Sequence, residues 1–202
     1  PSLEEQVKVL RHAVANAQAA GGIAAAFAAD LTDDVAVGNL IPAVAARFGA
    51  VSCLVNNASM FVYDDIASLS AAQWDRHQAV NLKAPVFLAK SLAETLGAAG
   101  GTGLNGNVIN ILDQRVLKPT PHFLSYAASK AGLHAMTRVL AQALAPRVRV
   151  NAIGPGPMLQ SVHQSAAEFA EQNRATLLGR GTVPAEVAAA IRFILDAPAL
   201  TG

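Results

Sequence analysis

Apolar positions recur along this chain in two alternating rhythms, and the alternation predicts its elements. Leu3, Val7, Leu10 and Val14 stand at helical spacing, and Gly21-Gly22 ends that helix before an apolar run from Ile23 that stops at Asp30. Thr32 or Asp33 is placed to cap a second helix reaching about Phe48, with Gly49 as its terminator. Val51 to Val55 reads as a short buried strand ending in Asn56-Asn57, and a long helix from Ser70 to about Leu96 follows, with Pro85 inside it. A strand over Asn107 to Leu112 comes next. The helix from about Ser125 to Leu144 carries Leu133, Met136, Leu140 and Leu144 on one face, and Pro146 closes it before a strand from Val148 to Ile153. Helical patterns over Ala166 to Leu178 and Pro184 to Leu195 complete the series.

Short apolar strands alternating with longer helices are the mark of βαβ units, so the expected fold is α/β: a doubly wound parallel sheet with helices on both faces. The composition breaks nowhere, which predicts a single domain over residues 1–202. In such sheets ligands sit beyond the carboxyl ends of the strands. Asp30, Asn56 to Phe61, Asp113 and Gly154 to Met158 are therefore the positions where chemistry is expected.

Composition narrows the function. With 15 Lys and Arg against 14 Asp and Glu, the net charge of +1 offers no field to recruit nucleic acid or an acidic membrane. Charged residues make up 14% of the 202 residues, where about 25% is usual, so helix faces are expected to be buried between subunits. No apolar run reaches the roughly 18 residues of a membrane span, and Pro1 to Glu5 is neither basic nor apolar as a secretory leader would be. Cys53, the single cysteine, can form neither an internal disulfide nor a thiolate cluster, which fits a reducing, cytoplasmic setting. It sits in an apolar strand pattern and is expected in the core. His12, His77, His122, His134 and His163 have no metal-gathering spacing and are expected to be solvated or hydrogen-bonded, while Trp74 is expected to pack.

Gly101-x-Gly103-x-x-Gly106 matches a dinucleotide fingerprint in letters only. A phosphate-binding turn follows a strand and opens a helix, whereas this one follows a helix and precedes a strand, so it reads as a surface turn. Tyr126 and Lys130 lie four apart on one helix face, where an ammonium near the phenol favours phenolate and lowers the tyrosine pKa toward working pH. Such a tyrosine can give and take a proton.

Tyr126-Ala127-Ala128-Ser129-Lys130, behind a strand ending at Asp113 and ahead of Arg149-Val150-Asn151-Ala152-Ile153-Gly154-Pro155-Gly156, resembles the short-chain dehydrogenase/reductase family. Asn56-Asn57-Ala58-Ser59 and Val80-Asn81-Leu82 match the same family in the same order, and the resemblance spans essentially the whole chain. It implies a Rossmann-like fold, a nicotinamide cofactor, a homotetramer, and catalysis by Tyr126, Lys130, Asn81 and the residue at 113. The family usually has serine where this chain has Asp113; the pteridine reductase branch is similar in having aspartate there and an Asn-Asn-Ala-Ser-x-Phe segment, matched by Asn56 to Phe61. By that resemblance the cofactor is NADPH. Ser59, Phe61, Asp113 and Tyr126 would meet a dihydropterin or dihydrofolate-type substrate, its ring held between Phe61 and the nicotinamide.

The same resemblance places Asp30, Leu31, Ser59, Tyr126 and Lys130 at the cofactor, with Asp30 near the adenine, Asn57 and Ala58 along its adenosine side, and Pro155 and Gly156 near the nicotinamide. Other readings stand beside these. Phe61 can be a loop aromatic covering the core, Asp113 a strand-end carboxylate capping backbone donors, and Asn81 either a partner for a kinked helix or the holder of a water linked to Lys130. A reductase of another carbonyl and a non-catalytic dinucleotide sensor are the rival functions. The family's opening strand, glycine-rich turn and second strand have no counterpart here, so the 202 residues are expected to be part of a longer chain ending just before the family's final strand.

Overall fold

The computed structural model describes residues 3–98, 106–161 and 163–202, in two compact units, Pro1–Asp30 and Leu31–Gly202. The first unit holds helix α1 (Leu3–Ala19) followed by a stretch without regular structure from 22 to 30. The apolar run at Ile23 therefore forms no strand. A strand is held by hydrogen bonds to a neighbour, none of the described strands pairs with this run, and Ile23 is left largely exposed.

In the second unit Asp33 is the cap of helix α2 (Asp34–Phe48): its side chain accepts from the backbone N–H groups of Val35 and Ala36, and Gly49 closes the helix at φ +85°. Three parallel strands follow in spatial order, β1 (Cys53–Asn56), β2 (Gly106–Ile111) and β3 (Val148–Ile153), with Cys53 opposite Asn107 and Ile111 opposite Ile153. Side-chain alternation along β2 divides the core. Val108 packs with Val148, Val150, Leu92 and Leu140 beneath helices α4 (Ala84–Ala98) and α5 (Leu124–Leu144), while Ile109 and Ile111 pack with Ile194 of helix α7 (Pro184–Asp196) on the other face. Helix α6 (Ala166–Arg174) begins with a capping box between Ser165 and Glu168. The architecture is thus the expected Rossmann-like α/β layering.

Two expectations are corrected here. Cys53 is exposed, because β1 is an outer strand of the described sheet, although partial burial still pushes its thiol pKa up. Trp74 keeps over a third of its surface in solvent, at 38%. Gly101 and Gly103 lie outside the described residues. Gly106 opens β2, where a Cβ would come within 2.7 Å of Leu96 Cδ1, so close packing accounts for this glycine.

The predicted long helix is broken in two. Ser70 caps α3 (Ala71–Gln78), a π-turn over Ala79–Lys83 follows, and α4 resumes at Ala84. Pro85 has no N–H to give the carbonyl of Asn81 and its ring crowds that carbonyl; the wider turn, in which Ala84 N–H reaches back to Ala79 O, accommodates both effects. Across the core, Asn56 Nδ2 donates to Asn110 Oδ1 (2.8 Å), Asn110 Nδ2 to Thr137 Oγ1 (3.0 Å), and Thr137 Oγ1 to Leu133 O (2.8 Å). This buried chain ties β1, β2 and α5 together. No helix of the described residues is long and apolar enough to cross a membrane. Asn110→Ala leaves an Asn56 donor and the Thr137 hydroxyl short of partners, and is expected to cost about 1–3 kcal/mol, read as a lower urea midpoint with unchanged slope.

Candidate active site

The carboxyl ends of β2 and β3 and the first turns of α5 build the site. Asp113, two residues past the end of β2, uses both its oxygens. Oδ1 accepts from the backbone N–H of Arg115 (2.8 Å), capping the short 3₁₀ turn Gln114–Val116, and Oδ2 accepts from the Tyr126 hydroxyl (2.8 Å). Capping and contact with the tyrosine, posed as alternatives by the sequence, occur together. Arg115 Nη1 lies 3.7 Å from the same Oδ2.

Tyr126 and Lys130 face the same way from α5 and both are buried. The expected ammonium-to-phenol contact is replaced by another: Lys130 Nζ donates to Ile111 O (2.8 Å) at the end of β2 and lies 5.9 Å from the Tyr126 ring centroid. The backbone carbonyl is a fixed acceptor within the lysine's reach, whereas the phenol has turned to Asp113. The expected pKa direction is corrected with it. Burial first, then the Asp113 charge and the hydrogen bond to it, push the Tyr126 pKa well above the ordinary phenol value. The proton therefore stays on Tyr126 at neutral pH. Burial lowers Lys130 to about 8, with Asp113 partly opposing the shift.

Asn81, in the π-turn, is buried with its amide saturated. Its Oδ1 accepts from Met60 N–H (2.8 Å) and Ser59 Oγ (3.2 Å), and its Nδ2 donates to Met60 O (2.9 Å) and Ser129 Oγ (3.1 Å). Its partners are the loop after β1 and helix α5, so the side chain is spent on these rather than on the backbone of its own kinked helix.

Phe61 belongs to an aromatic wall. Its ring stacks on Phe123 with centroids 4.4 Å apart and planes 9° from parallel, and meets Tyr126 edge-on at 4.7 Å. The Arg115 guanidinium carbon lies 4.9 Å from the Phe123 centroid and 5.4 Å from that of Phe61. One face of Phe61 is thus already covered, so any flat ligand must use the outer side of the pair. Phe123 is the only non-glycine described residue with positive φ, at 59°, and its backbone N–H donates to Asp64 O (2.7 Å).

These groups surround a cavity of about 330 Å³. Of the residues picked from sequence, Asn57, Ser59, Phe61, Asp113, Tyr126, Lys130, Pro155 and Gly156 line it, and Asn81 touches it through Ser59. Ala58 is not among the lining residues; Leu31 packs instead against Val37, Ile41, Ala84 and Leu88, and Asp30 belongs to the first unit. Sequence reasoning missed Arg115, Phe123, His163 and Gln172 in the lining. Arg115 was within reach of the strand-end rule that found Asp113, but no sequence signal marks a phenylalanine in the left-handed region. Among the described residues no group of three or more His, Cys, Asp or Glu is placed to hold a metal ion.

The model of the short chain dehydrogenases matches residues 2–171. The chain is a member of the short-chain dehydrogenase family. It is 36% identical over 189 residues to 3beta-hydroxysteroid dehydrogenase 1 of Eggerthella lenta, covering 91% of this chain and 71% of that protein. With D-threitol dehydrogenase of Mycolicibacterium smegmatis it shares 32% identity over 179 residues, 86% of this chain and 67% of that one. Among solved structures it resembles FolM Alternative dihydrofolate reductase 1 from Brucella suis in complex with NADP, with 40% identity, a TM-score of 0.89, and coverage of 96% of this chain and 76% of that one. As a short-chain dehydrogenase the protein is an NAD(P)-dependent oxidoreductase.

The lysine gives this site a pH signature. Lys130 is charged below about 8 and neutral above, so kcat/KM is expected to fall on the alkaline side with a midpoint near 8. Lys130→Arg, which does not titrate in this range, should move that limb out of it if turnover survives; pH–rate profiles over roughly pH 6 to 10 check this.

Proposed function

We propose that the protein is an NADPH-dependent reductase of pteridines, of the dihydropterin or dihydrofolate type. The observation that carries this reading is the Asp113 carboxylate on the Tyr126 hydroxyl at 2.8 Å, beside the Phe61–Phe123 wall. A pterin offers a flat ring to an aromatic wall and an amino-pyrimidine edge with donors that a carboxylate can accept. The FolM neighbour, a dihydrofolate reductase by name with NADP bound, supports the same choice of substrate and cofactor.

The residues present fit the nicotinamide end of a dinucleotide. Lys130 spends one donor on Ile111 O and lines the cavity together with Asn57, Ser59, Pro155 and Gly156. Lys130, Pro155 and Gly156 would hold the nicotinamide end, with Leu31, Asn57 and Ala58 toward the adenosine by family resemblance. When bound, the reduced nicotinamide supplies the hydride. Tyr126 gives its proton to the nitrogen of the acceptor C=N bond; Asp113 orients the phenol and, with Arg115 beside it, presents one carboxylate to the substrate edge. A second reading, oxidation and reduction at a secondary alcohol or ketone, is favoured by the names of the steroid and threitol relatives.

NADPH oxidation with dihydropteridines and with simple ketones separates the two. Tyr126→Phe is expected to lower turnover by about 10²–10⁴ while NADP binding persists. Phe61→Ala should weaken pterin turnover, and Asp113→Ser should lower it while sparing or raising ketone reduction. A parent protein that reduces a ketone but no pterin would overturn the pteridine reading.

We further infer a homotetramer. Its support is the apolar groove between α4 and α5, where Val86, Ala93, Leu140 and Leu144 border open space and Phe87 and Val139 are half exposed. Sedimentation at micromolar concentration is expected to give four copies; a monomer would refute it.

A further inference from the structure

Behind the cavity lies a second set of polar groups that hydride transfer does not use. Asp64, His77 and Ser125 are all completely buried. His77 Nε2 faces the backbone N–H of Val62 (3.2 Å), which can only donate, so Nε2 is the acceptor and the ring proton sits on Nδ1. Nδ1–H then donates to Ser125 Oγ (2.6 Å), and Ser125 Oγ–H donates to Asp64 Oδ2. Asp64 also accepts from Ser125 N–H (3.3 Å) and from Gln73 Nε2 (3.2 Å), so the buried carboxylate is well supplied with donors.

The spacing gives these contacts a purpose. His77 and Asn81 stand four apart, as do Ser125 and Ser129, and they pair as two rungs between the broken helix and α5. Each rung also holds the loop after β1, Asn81 at Met60 and His77 at Val62. Phe61 lies between the two fixed residues. At the other end, Asp64 holds Phe123 through its own carbonyl and Ser125 through its carboxylate, on either side of Leu124 at the start of α5. Both halves of the aromatic wall, and the helix end that carries Tyr126, are thus tied to one hydrogen-bonded chain.

We propose that Asp64, Ser125 and His77 act as a positioning unit that sets the Phe61–Phe123 wall against the substrate, and that it works only with neutral His77. An imidazolium would present an Nε2 proton to the Val62 N–H, two donors face to face, and would release the loop. The groups facing the ring are the Asp64 carboxylate and the Gln73 backbone carbonyl, which favour the charged form, and Arg76, which opposes it, with the Tyr126 ring edge-on at 6.2 Å. Burial outweighs them and holds the His77 pKa below the ordinary imidazole value, so the unit is intact at neutral pH and is lost as the solution becomes acid. The proposal rests on the cavity being the substrate site.

The test uses the whole protein with two readouts. In steady-state assays His77→Ala should raise KM for the acceptor about tenfold, the cost of an unpaired buried donor, while kcat changes far less. His77→Gln, whose amide oxygen can still accept from Val62 N–H and whose side chain does not titrate, should keep a near-parental KM and lose the acid limb of the pH profile. Near-ultraviolet circular dichroism reads the wall without any substrate. The aromatic signal should fade on acidification in the parent, persist in His77→Gln, and be weakened in His77→Ala at constant helix content. Failure of the parent to reduce any acceptor would count against the proposed function alone, because the spectroscopic arm still decides this proposal. A folded His77→Ala with parental KM and aromatic signal, or an acid limb unchanged in His77→Gln, would overturn it. If His77→Ala does not fold, the comparison of the parent with His77→Gln decides between the two outcomes.

Discussion

A proline without an amide proton shapes this site. Pro85 cannot serve the carbonyl of Asn81, and the helix widens into the π-turn Ala79–Lys83 before α4 resumes. An extra residue in one turn changes which side chains on either side of it share a face. His77 just before that turn and Asn81 within it are both buried toward α5, where two serines at the same spacing receive them. The loop after β1 hangs on those two side chains, and the cavity wall hangs on the loop.

The electrostatics of the cavity follow from burial in a similar way. A phenol, a carboxylate and an ammonium lie together at the end of β2, yet they do not form the simple pair expected from Tyr-x-x-x-Lys. The carboxylate takes the phenol, and the ammonium takes a main-chain carbonyl. Burial then raises the phenol pKa and lowers that of the ammonium, leaving a tyrosine that holds its proton beside a lysine that can lose one near physiological pH. Such a tyrosine is in the correct state to act as an acid in a reduction.

Much of this was legible in the sequence because it depended on local rules. Period and breakers located α2, α5, α7 and the three strands to within a residue or two, and the strand-end rule led to Asp113 and the Asn56–Phe61 loop. What could not be read depended on partners distant in sequence. Ile23 to Ala29 has a strand's composition, but a strand also needs a neighbour. Cys53 looked like core because its neighbours along the chain are apolar, yet whether a strand side chain is covered depends on what packs over it, which local pattern does not show. His77 gave no signal of its own, since its partners Val62 and Ser125 lie 15 and 48 residues away.

Phe123 has a consequence for anyone who would stabilise this protein. A bulky side chain at φ 59° holds the backbone in a conformation that costs on the order of 1 kcal/mol, which glycine would not incur. The residue stays there because Phe61, Arg115 and the Asp64 carbonyl hold it in place. Replacing it with glycine would relieve that strain but forfeit the ring stacking and the guanidinium contact and loosen the unfolded chain, effects of similar or larger size and opposite sign. A heat-resistance screen at residue 123 would therefore set backbone relief against lost ring contacts, with the ring contacts the larger share.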